Sequence, residues 1–206
     1  MKRIIGVTGL IGSGKDTVAN YLTTFHGFKK LSFAGSLKDA VASVFGWDRE
    51  LLEGSTKSSR EWREQVDPWW AERLNIPHLT PRWVLQYWGT EVCRVGFHSD
   101  IWVASVQNKL RQATDDIVIT DCRFANEVSV IKEVGGITVR VERGPRPEWY
   151  DLARAVNDGM ESKDELDKLN IHASEYSSVG LKYDHWLDNN QTIDDLHSQV
   201  EKLINL

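Results

Sequence analysis

Short runs at residues 4–7, 28–33, 116–121, 137–141 and 183–187 read as strands, with β-branched residues concentrated in the first, third and fourth. The run at 116–121, Asp-Ile-Val-Ile-Thr-Asp, has the continuous character of a strand buried on both faces of a parallel sheet. Between these runs apolar residues recur at helical spacing. The pattern predicts a first helix from about Lys15 to His26-Gly27, and a second over 37–45 with Ser36 as N-cap and Leu37, Val41, Val44 and Phe45 as its apolar positions. Further helices are expected over 101–112 and 127–133. Pro81 suits the first turn of a helix running to about Val95, which puts Arg82, Gln86 and Thr90 on or near one face. Thr192, with Asp195 three residues on, starts a last helix that runs to Leu203. Strands alternating with helices predict an α/β fold: a doubly wound parallel sheet of about five strands flanked by helices, with ligands at the carboxyl ends of the strands.

Two stretches break the alternation. Residues 47–81 are polar, carry Trp62, Trp69 and Trp70, and hold prolines at 68, 77 and 81, so this region is expected to leave the core as part of an excursion over about 47–100. Residues 143–171 contain prolines, then charges, with no core periodicity at their start, and are expected to form a mobile lid. At 206 residues the chain fits one domain, 1–206, carrying both excursions.

Composition narrows the function classes. A hydrophobic content of 41% and a charged content of 27% are ordinary for a soluble globular protein. No apolar run approaches the ~18 residues of a membrane span. The first strand starts at once, leaving no room for a signal peptide, so a cytoplasmic location is expected, with no membrane partner. A net charge of −5 argues against a nucleic-acid polymer as partner and leaves small anions. The two cysteines, Cys93 and Cys122, lack metal-ligand spacing with the six histidines; both are expected to be reduced, and no structural zinc is expected.

The segment Gly9-Leu-Ile-Gly-Ser-Gly-Lys15-Asp16-Thr17 follows the first strand and opens the first helix. It matches G-x-x-x-x-G-K in the strand–loop–helix context a phosphate-binding loop requires. Glycines at 9, 12 and 14 let successive backbone N–H groups converge on one phosphate, the helix dipole adds positive potential, and the Lys15 ammonium can reach the outer phosphates. Gly12, Ser13, Gly14, Lys15, Asp16 and Thr17 are the candidate nucleotide ligands. Where the common pattern has Ser or Thr directly after the lysine, to place a hydroxyl on Mg²⁺, this chain has Asp16 and moves the hydroxyl to Thr17. Asp16 is expected to organise Mg²⁺ or its waters, with Thr17 and Asp121 completing the candidate metal set.

Asp121 closes a buried strand, and at that position in a P-loop fold a carboxylate can hold a Mg²⁺-bound water or orient an acceptor; a solvated turn cap is the other reading. Arg123 would project into the same cleft and grip a phosphate bidentately, whether or not it pairs with Glu127 four residues on. Arg143 and Arg146 follow a strand, where closure could bring cations onto a transferring phosphoryl group; an exposed basic loop is the alternative. Lys15, Asp16, Arg123 and Arg143 are the candidate catalytic set, and Arg146 joins the nucleotide ligands.

Five segments occur together in one order: Gly12-Ser-Gly-Lys-Asp-Thr17; Pro81-Arg-Trp-Val-Leu-Gln86 running into Gly89-Thr-Glu91; Thr120-Asp-Cys-Arg123 with Glu127; His172-Ala-Ser-Glu175; and Asp188-Asn-Asn-Gln-Thr-Ile-Asp-Asp-Leu196. In that order the chain resembles the phage-type deoxynucleoside monophosphate kinases, P-loop NTPase-fold enzymes with a monophosphate-binding excursion and a lid. Adenylate kinases likewise delay the threonine by one residue, with glycine where Asp16 stands. The resemblance implies transfer of the γ-phosphoryl of ATP, with Mg²⁺, to a deoxynucleoside monophosphate (dNMP), and related enzymes suggest a homodimer. By position it implies Arg60, Arg82, Gln86, Thr90, Trp102, Asp121, Arg123 and Glu127 as ligands of the acceptor. Arg60 and Arg123 suit its phosphate and Gln86 a base edge. Packing roles compete at Thr90, Gln86 and Trp102, and a solvated first-turn role at Arg82.

The chain departs from its relatives at Leu10 and Ile11, where many members place a basic residue. Two other functions fit the loop: a P-loop kinase of another small acceptor, of the dephospho-coenzyme A or phosphomevalonate type, and a nucleotide-binding switch or assembly subunit. Against the switch, the Asn-Lys-x-Asp guanine motif is missing from the sequence.

Overall fold

The computed structural model describes residues 2–205. In chain order it contains β1 (Ile4–Thr8), α1 (Lys15–His26), β2 (Lys29–Leu31), α2 (Gly35–Phe45), α3 (Arg49–Glu53), α4 (Lys57–Arg63), α5 (Pro68–Leu74), α6 (Pro81–Tyr87), a π-helix (Trp88–Val95), α7 (Ile101–Gln112), β3 (Ile117–Ile119), α8 (Ala125–Glu133), β4 (Ile137–Glu142), α9 (Tyr150–Asn157), α10 (Asp164–Lys168), α11 (Ala173–Tyr176), β5 (His185–Asp188) and α12 (Ile193–Ile204). These elements form two compact units, one of residues 1–32 with 107–206 and one of residues 33–106.

The first unit is built on the expected parallel sheet. Its five strands run in the order β2-β3-β1-β4-β5, and every neighbouring pair is parallel. β1 is central and buried along its whole length, as a strand covered on both faces must be. Side chains alternate across the sheet: Ile5 and Val7 of β1, Val139 and Val141 of β4 and Leu187 of β5 pack with Val18, Ala19 and Leu22 of α1 and Leu196, Val200 and Leu203 of α12. On the opposite face Gly6 lies under Ile131 of α8, where a Cβ would come within 3.0 Å of it. Parallel registry puts the carboxyl ends side by side, with Thr8 opposite Arg140, Glu142 opposite Asp188 and Leu31 opposite Ile119. The segments that follow β1, β2, β3, β4 and β5 therefore emerge on one edge of the sheet.

Several boundaries differ from the sequence expectation. The second strand shrinks from 28–33 to Lys29–Leu31, and the third from 116–121 to Ile117–Ile119, because Phe28, Phe33 and Thr120 are buried by packing beyond the ladder rather than by pairing. The last strand starts at His185 rather than 183, since Asp184 bonds the Thr138 backbone and hydroxyl with its carboxylate. α8 begins two residues early, at Ala125. The Thr192–Asp195 capping box of α12 forms as expected.

Residues 143–171 contain the short helices α9 and α10. Their helices, with α11, enclose an apolar cluster of Tyr150, Ala153, Leu166, Tyr176 and Val179 that sequence periodicity failed to reveal because the helices are short. Leu10 of the phosphate loop packs against this cluster.

In the second unit, residues 47–81 contain α3, α4 and α5. Leu52 and Leu79 pack with Leu37, Val41, Phe45, Trp47 and Val84, and Trp62 and Trp70 cover them. The tryptophans thus serve mainly as packing, with Trp47 stacked on Phe45 at 4.4 Å. α2 starts at Gly35 after Ala34, so Ser36 is not the cap; its hydroxyl bonds Ser105 at 2.8 Å, and Val44 is exposed. The helix expected over 81–95 is α-helical only to Tyr87, after which Gly96 and His98 donate to carbonyls five residues back. Gly89 fits this wider turn against Leu37, where a Cβ would come within 2.8 Å of the leucine.

Leu166 is fully buried. Leu166→Ala is expected to cost about 2–5 kcal/mol in denaturant unfolding, the toll of a cavity in a packed core; a variant as stable as the parent would show that residues 150–179 carry no such core.

Candidate active site at the phosphate loop

The loop between β1 and α1 takes its shape from three left-handed glycines, Gly9, Gly12 and Gly14, with φ of 147°, 80° and 104°. At Gly9 a side chain would meet the Val141 carbonyl and the Ser13 hydroxyl. Gly14 forms the entry to α1 with no side-chain cap, so the helix opens with bare backbone N–H groups, as anion binding requires. The Ser13 hydroxyl is buried and meets no hydrogen-bond partner among the described residues.

Lys15 folds back over the loop and donates to the carbonyls of Gly9 and Leu10 at 2.9 and 2.8 Å. Burial lowers its pKa to about 8, Arg123 and Arg140 push the same way, and Asp16 and Asp121 oppose them. These four charges therefore act on one ammonium, which brings together Lys15, Asp16, Asp121 and Arg123 of the candidate set.

Asp121 is half-buried and accepts from the Ser32 hydroxyl at 2.6 Å, a contact between the ends of β3 and β2. The exposed Arg123 sends its guanidinium to the Ser174 carbonyl at 3.1 Å. Glu127 is buried, and its Oε2 accepts the backbone N–H groups of Arg123 and Phe124 at 2.7 and 3.1 Å, so it shapes the turn that carries Arg123. Ser174 belongs to the His172–Glu175 segment, where its N–H and hydroxyl both meet His172 Nδ1, at 3.2 and 2.9 Å. That segment is a polar tie between α11 and Arg123.

Asp16 is largely exposed and pairs with Lys30 at 3.0 Å, while Thr17 is half-buried in the first turn of α1. Arg143 is exposed, and Arg146 lies 3.8 Å from Glu142 and over the Tyr150 ring at 4.6 Å. The remaining candidates lie in the second unit. Arg60 donates to the carbonyls of Gly54 and Ser55 at 3.2 and 3.1 Å, and Arg82 pairs with Glu64 at 3.0 Å. Gln86 is half-buried on α6, Thr90 is in the π-helix, and the Trp102 indole donates to the Gly89 carbonyl at 2.8 Å.

Two residues of the first unit escaped sequence reasoning. Arg140 is 1% exposed, donates to the Ser178 carbonyl at 3.2 Å and lies among the rings of Tyr150, Tyr183 and Trp186. A charge inside a buried strand was its signal, since such a group must be paired. Asn189, in the turn after β5, donates from Nδ2 to the Ser13 carbonyl at 2.8 Å, and only its place at a strand's carboxyl end hinted at this.

Comparison with known proteins agrees with this geometry. No protein-family model matches the chain. The mimivirus (Acanthamoeba polyphaga mimivirus) protein named "Putative deoxynucleotide monophosphate kinase" is 33% identical over 212 residues, covering 96% of this chain and 93% of that one. The deoxynucleoside-5'-monophosphate kinase of Escherichia phage T5 is 25% identical over 182 residues, 65% of this chain and 73% of that one. The dephospho-CoA kinase of Trichormus variabilis is 31% identical over 97 residues, covering 40% of this chain and 50% of that one. With a P-loop fold, a phosphate loop backed by convergent cations and a relative matched along nearly its full length, this chain is a nucleotide kinase and belongs to the deoxynucleotide monophosphate kinase family.

Proposed function

We propose that the protein transfers the γ-phosphoryl group of ATP to a deoxynucleoside 5'-monophosphate, giving ADP and the deoxynucleoside diphosphate. The observation that carries this reading is the phosphate loop itself: α1 opens with no side-chain cap, the buried Ser13 hydroxyl meets no partner among the described residues, and Lys15 lies across the Gly9 and Leu10 carbonyls. An entering phosphate would meet backbone donors and an ammonium together. The family relationship to proteins named for monophosphate kinase activity supports the choice of acceptor.

In this reading Gly12, Ser13, Gly14 and Lys15 hold the donor's phosphates, and phosphoryl transfer relies on positioning and charge stabilisation rather than on covalent chemistry by the protein. Arg123 orients the acceptor phosphate in line, and Arg143 and Arg146 stand as cations after β4. Arg60, Arg82, Gln86, Thr90 and Trp102 remain acceptor ligands by resemblance, with Asp121 and Glu127; Glu127 would act through the turn it holds. The acceptor phosphate is already ionised, so no strong base is required.

The oxygens of Thr17, Asp121 and Asp16 form a hard donor set that fits Mg²⁺, and the orphaned Ser13 hydroxyl marks the loop as lacking a polar partner. Bound there, Mg²⁺ would neutralise charge on the donor's phosphates. A dephospho-CoA kinase reading is favoured by one observation, the 31% identity over 97 residues to such an enzyme. An acceptor panel separates the two: we expect a dNMP to be phosphorylated in preference to dephospho-coenzyme A, and the reverse order would overturn the proposal.

Lys15→Ala is expected to lower kcat by about 10²–10³-fold, the cost of losing one preorganised charge. Arg123→Ala should raise the KM for the monophosphate, lower kcat, or both; wild-type kinetics in that variant would remove Arg123 from the acceptor site.

The lowered pKa of Lys15 predicts a pH profile. Below about pH 8 the ammonium is charged and binds phosphate without proton uptake. Above it the unliganded lysine is neutral, so binding must take up a proton and ATP affinity falls as pH rises. By the same sign the unfolded chain, with an ordinary lysine, holds the proton longer, so the cost of burying this ammonium is felt in full below about pH 8 and is relieved as pH rises to the usual lysine range. Calorimetric titrations with ATP from about pH 7 to 10 should show the decline beginning near 8, and at higher pH in Arg123→Ala, which loses a like charge. An onset identical in both proteins would separate Arg123 from Lys15.

A further inference from the structure

The turn after β5 makes a contact that the phosphate-loop motif does not specify. Asn189 Nδ2 donates to the Ser13 carbonyl at 2.8 Å, and the Asn189 backbone N–H donates to Glu142 at 2.8 Å. Only the NH₂ side of the amide can meet a carbonyl, which fixes the amide's orientation. The turn is itself held on both sides. Asp188 exchanges two hydrogen bonds with the Gln199 side chain, at 2.9 and 2.8 Å, and its carboxylate accepts the Asn190 N–H at 3.0 Å. Asn190 Oδ1 in turn accepts the Gly144 N–H at 2.7 Å. Asn189 is therefore a donor on a braced support.

In a trans peptide the carbonyl oxygen and the following N–H point to opposite sides. Drawing the Ser13 oxygen toward Asn189 thus turns the Gly14 N–H away from it. Gly14 has φ of 104°, and a Cβ there would collide with the Asn189 amide. Glycine accepts φ of either sign, so this peptide unit has no side chain of its own to prevent a flip. The neighbour that demands glycine at position 14 is the same neighbour that orients the peptide.

We propose that Asn189 is a positioning residue for the phosphate donor: it locks the Ser13–Gly14 peptide with its carbonyl outward, leaving the Gly14 N–H to the bound phosphate. The inference rests on the donor site described under Proposed function, so its test begins with ATP binding by the wild-type protein. Asn189→Asp keeps the size of the side chain but places an acceptor oxygen against the Ser13 carbonyl. Calorimetry should show ATP bound about tenfold more weakly, the consequence of losing one hydrogen bond and gaining a repulsion. KM for ATP should rise in step, while KM for the monophosphate and the thermal midpoint stay near wild-type values. Asn189→Ala, which removes the amide without adding charge, should shift ATP affinity the same way by a smaller factor, and it carries the comparison should the Asp variant fail to fold.

ATP affinity within about twofold of wild type in these variants would overturn the inference and leave the donor site standing. So would equal increases in both KM values with a lower thermal midpoint, the mark of general destabilisation. A wild-type protein that does not bind ATP would remove the donor site itself and the role of Asn189 with it.

Discussion

A loop that binds phosphate with its backbone must turn its N–H groups inward, and every carbonyl so turned outward must find a donor elsewhere. In this protein the carbonyls of Gly9, Leu10, Ser13 and Gly14 have one. Lys15 donates to Gly9 and Leu10, Asn189 donates to Ser13, and the Val18 N–H donates to Gly14 at 3.1 Å. The parallel sheet makes this possible, because its registry sets the ends of β4 and β5 beside the end of β1. An antiparallel neighbour would present a strand's start at that edge, without the turns that supply Asn189 and the cations after β4.

Electrostatics follow from the same edge. Burial first, and then Arg123 and Arg140, lower the Lys15 pKa to about 8. Arg140 is the anchor of this arrangement, since it is buried, stacked among Tyr150, Tyr183 and Trp186, and held by the Ser178 carbonyl that also accepts from Tyr183 at 2.7 Å. A buried charge so enclosed cannot swing away from its neighbours. Arg123, by contrast, is exposed and held by a single backbone carbonyl, so its contact can be exchanged for a ligand at low cost.

The sheet and the phosphate loop were legible in the sequence because each writes a local signal: β-branched runs for strands, and glycines at 9, 12 and 14 before Lys15. α7 was legible to the residue for the same reason. What escaped depends on contacts far apart in the chain. The apolar cluster of α9, α10 and α11 draws a few residues from each of several short helices, so no window shows a period. The π-helix after Tyr87 needs Gly89 to lie against Leu37, a pairing that no local pattern announces. Asn189 acts on a backbone carbonyl of another segment, and a side chain that serves a distant carbonyl leaves no spacing rule behind.

The apolar pair at Leu10 and Ile11 plays two different parts in the loop. Ile11 is 69% exposed and gives the loop no core contact of note, whereas Leu10 packs against the cluster of Tyr150, Ala153, Leu166, Tyr176 and Val179. Leu10 is thus a mechanical link between the phosphate loop and residues 150–179. Positive charge reaches Lys15 from Arg140, which the sheet delivers to the position opposite Thr8. Position 10 then bears on loop geometry and Arg140 on loop potential, two roles that one basic side chain at the loop would have combined.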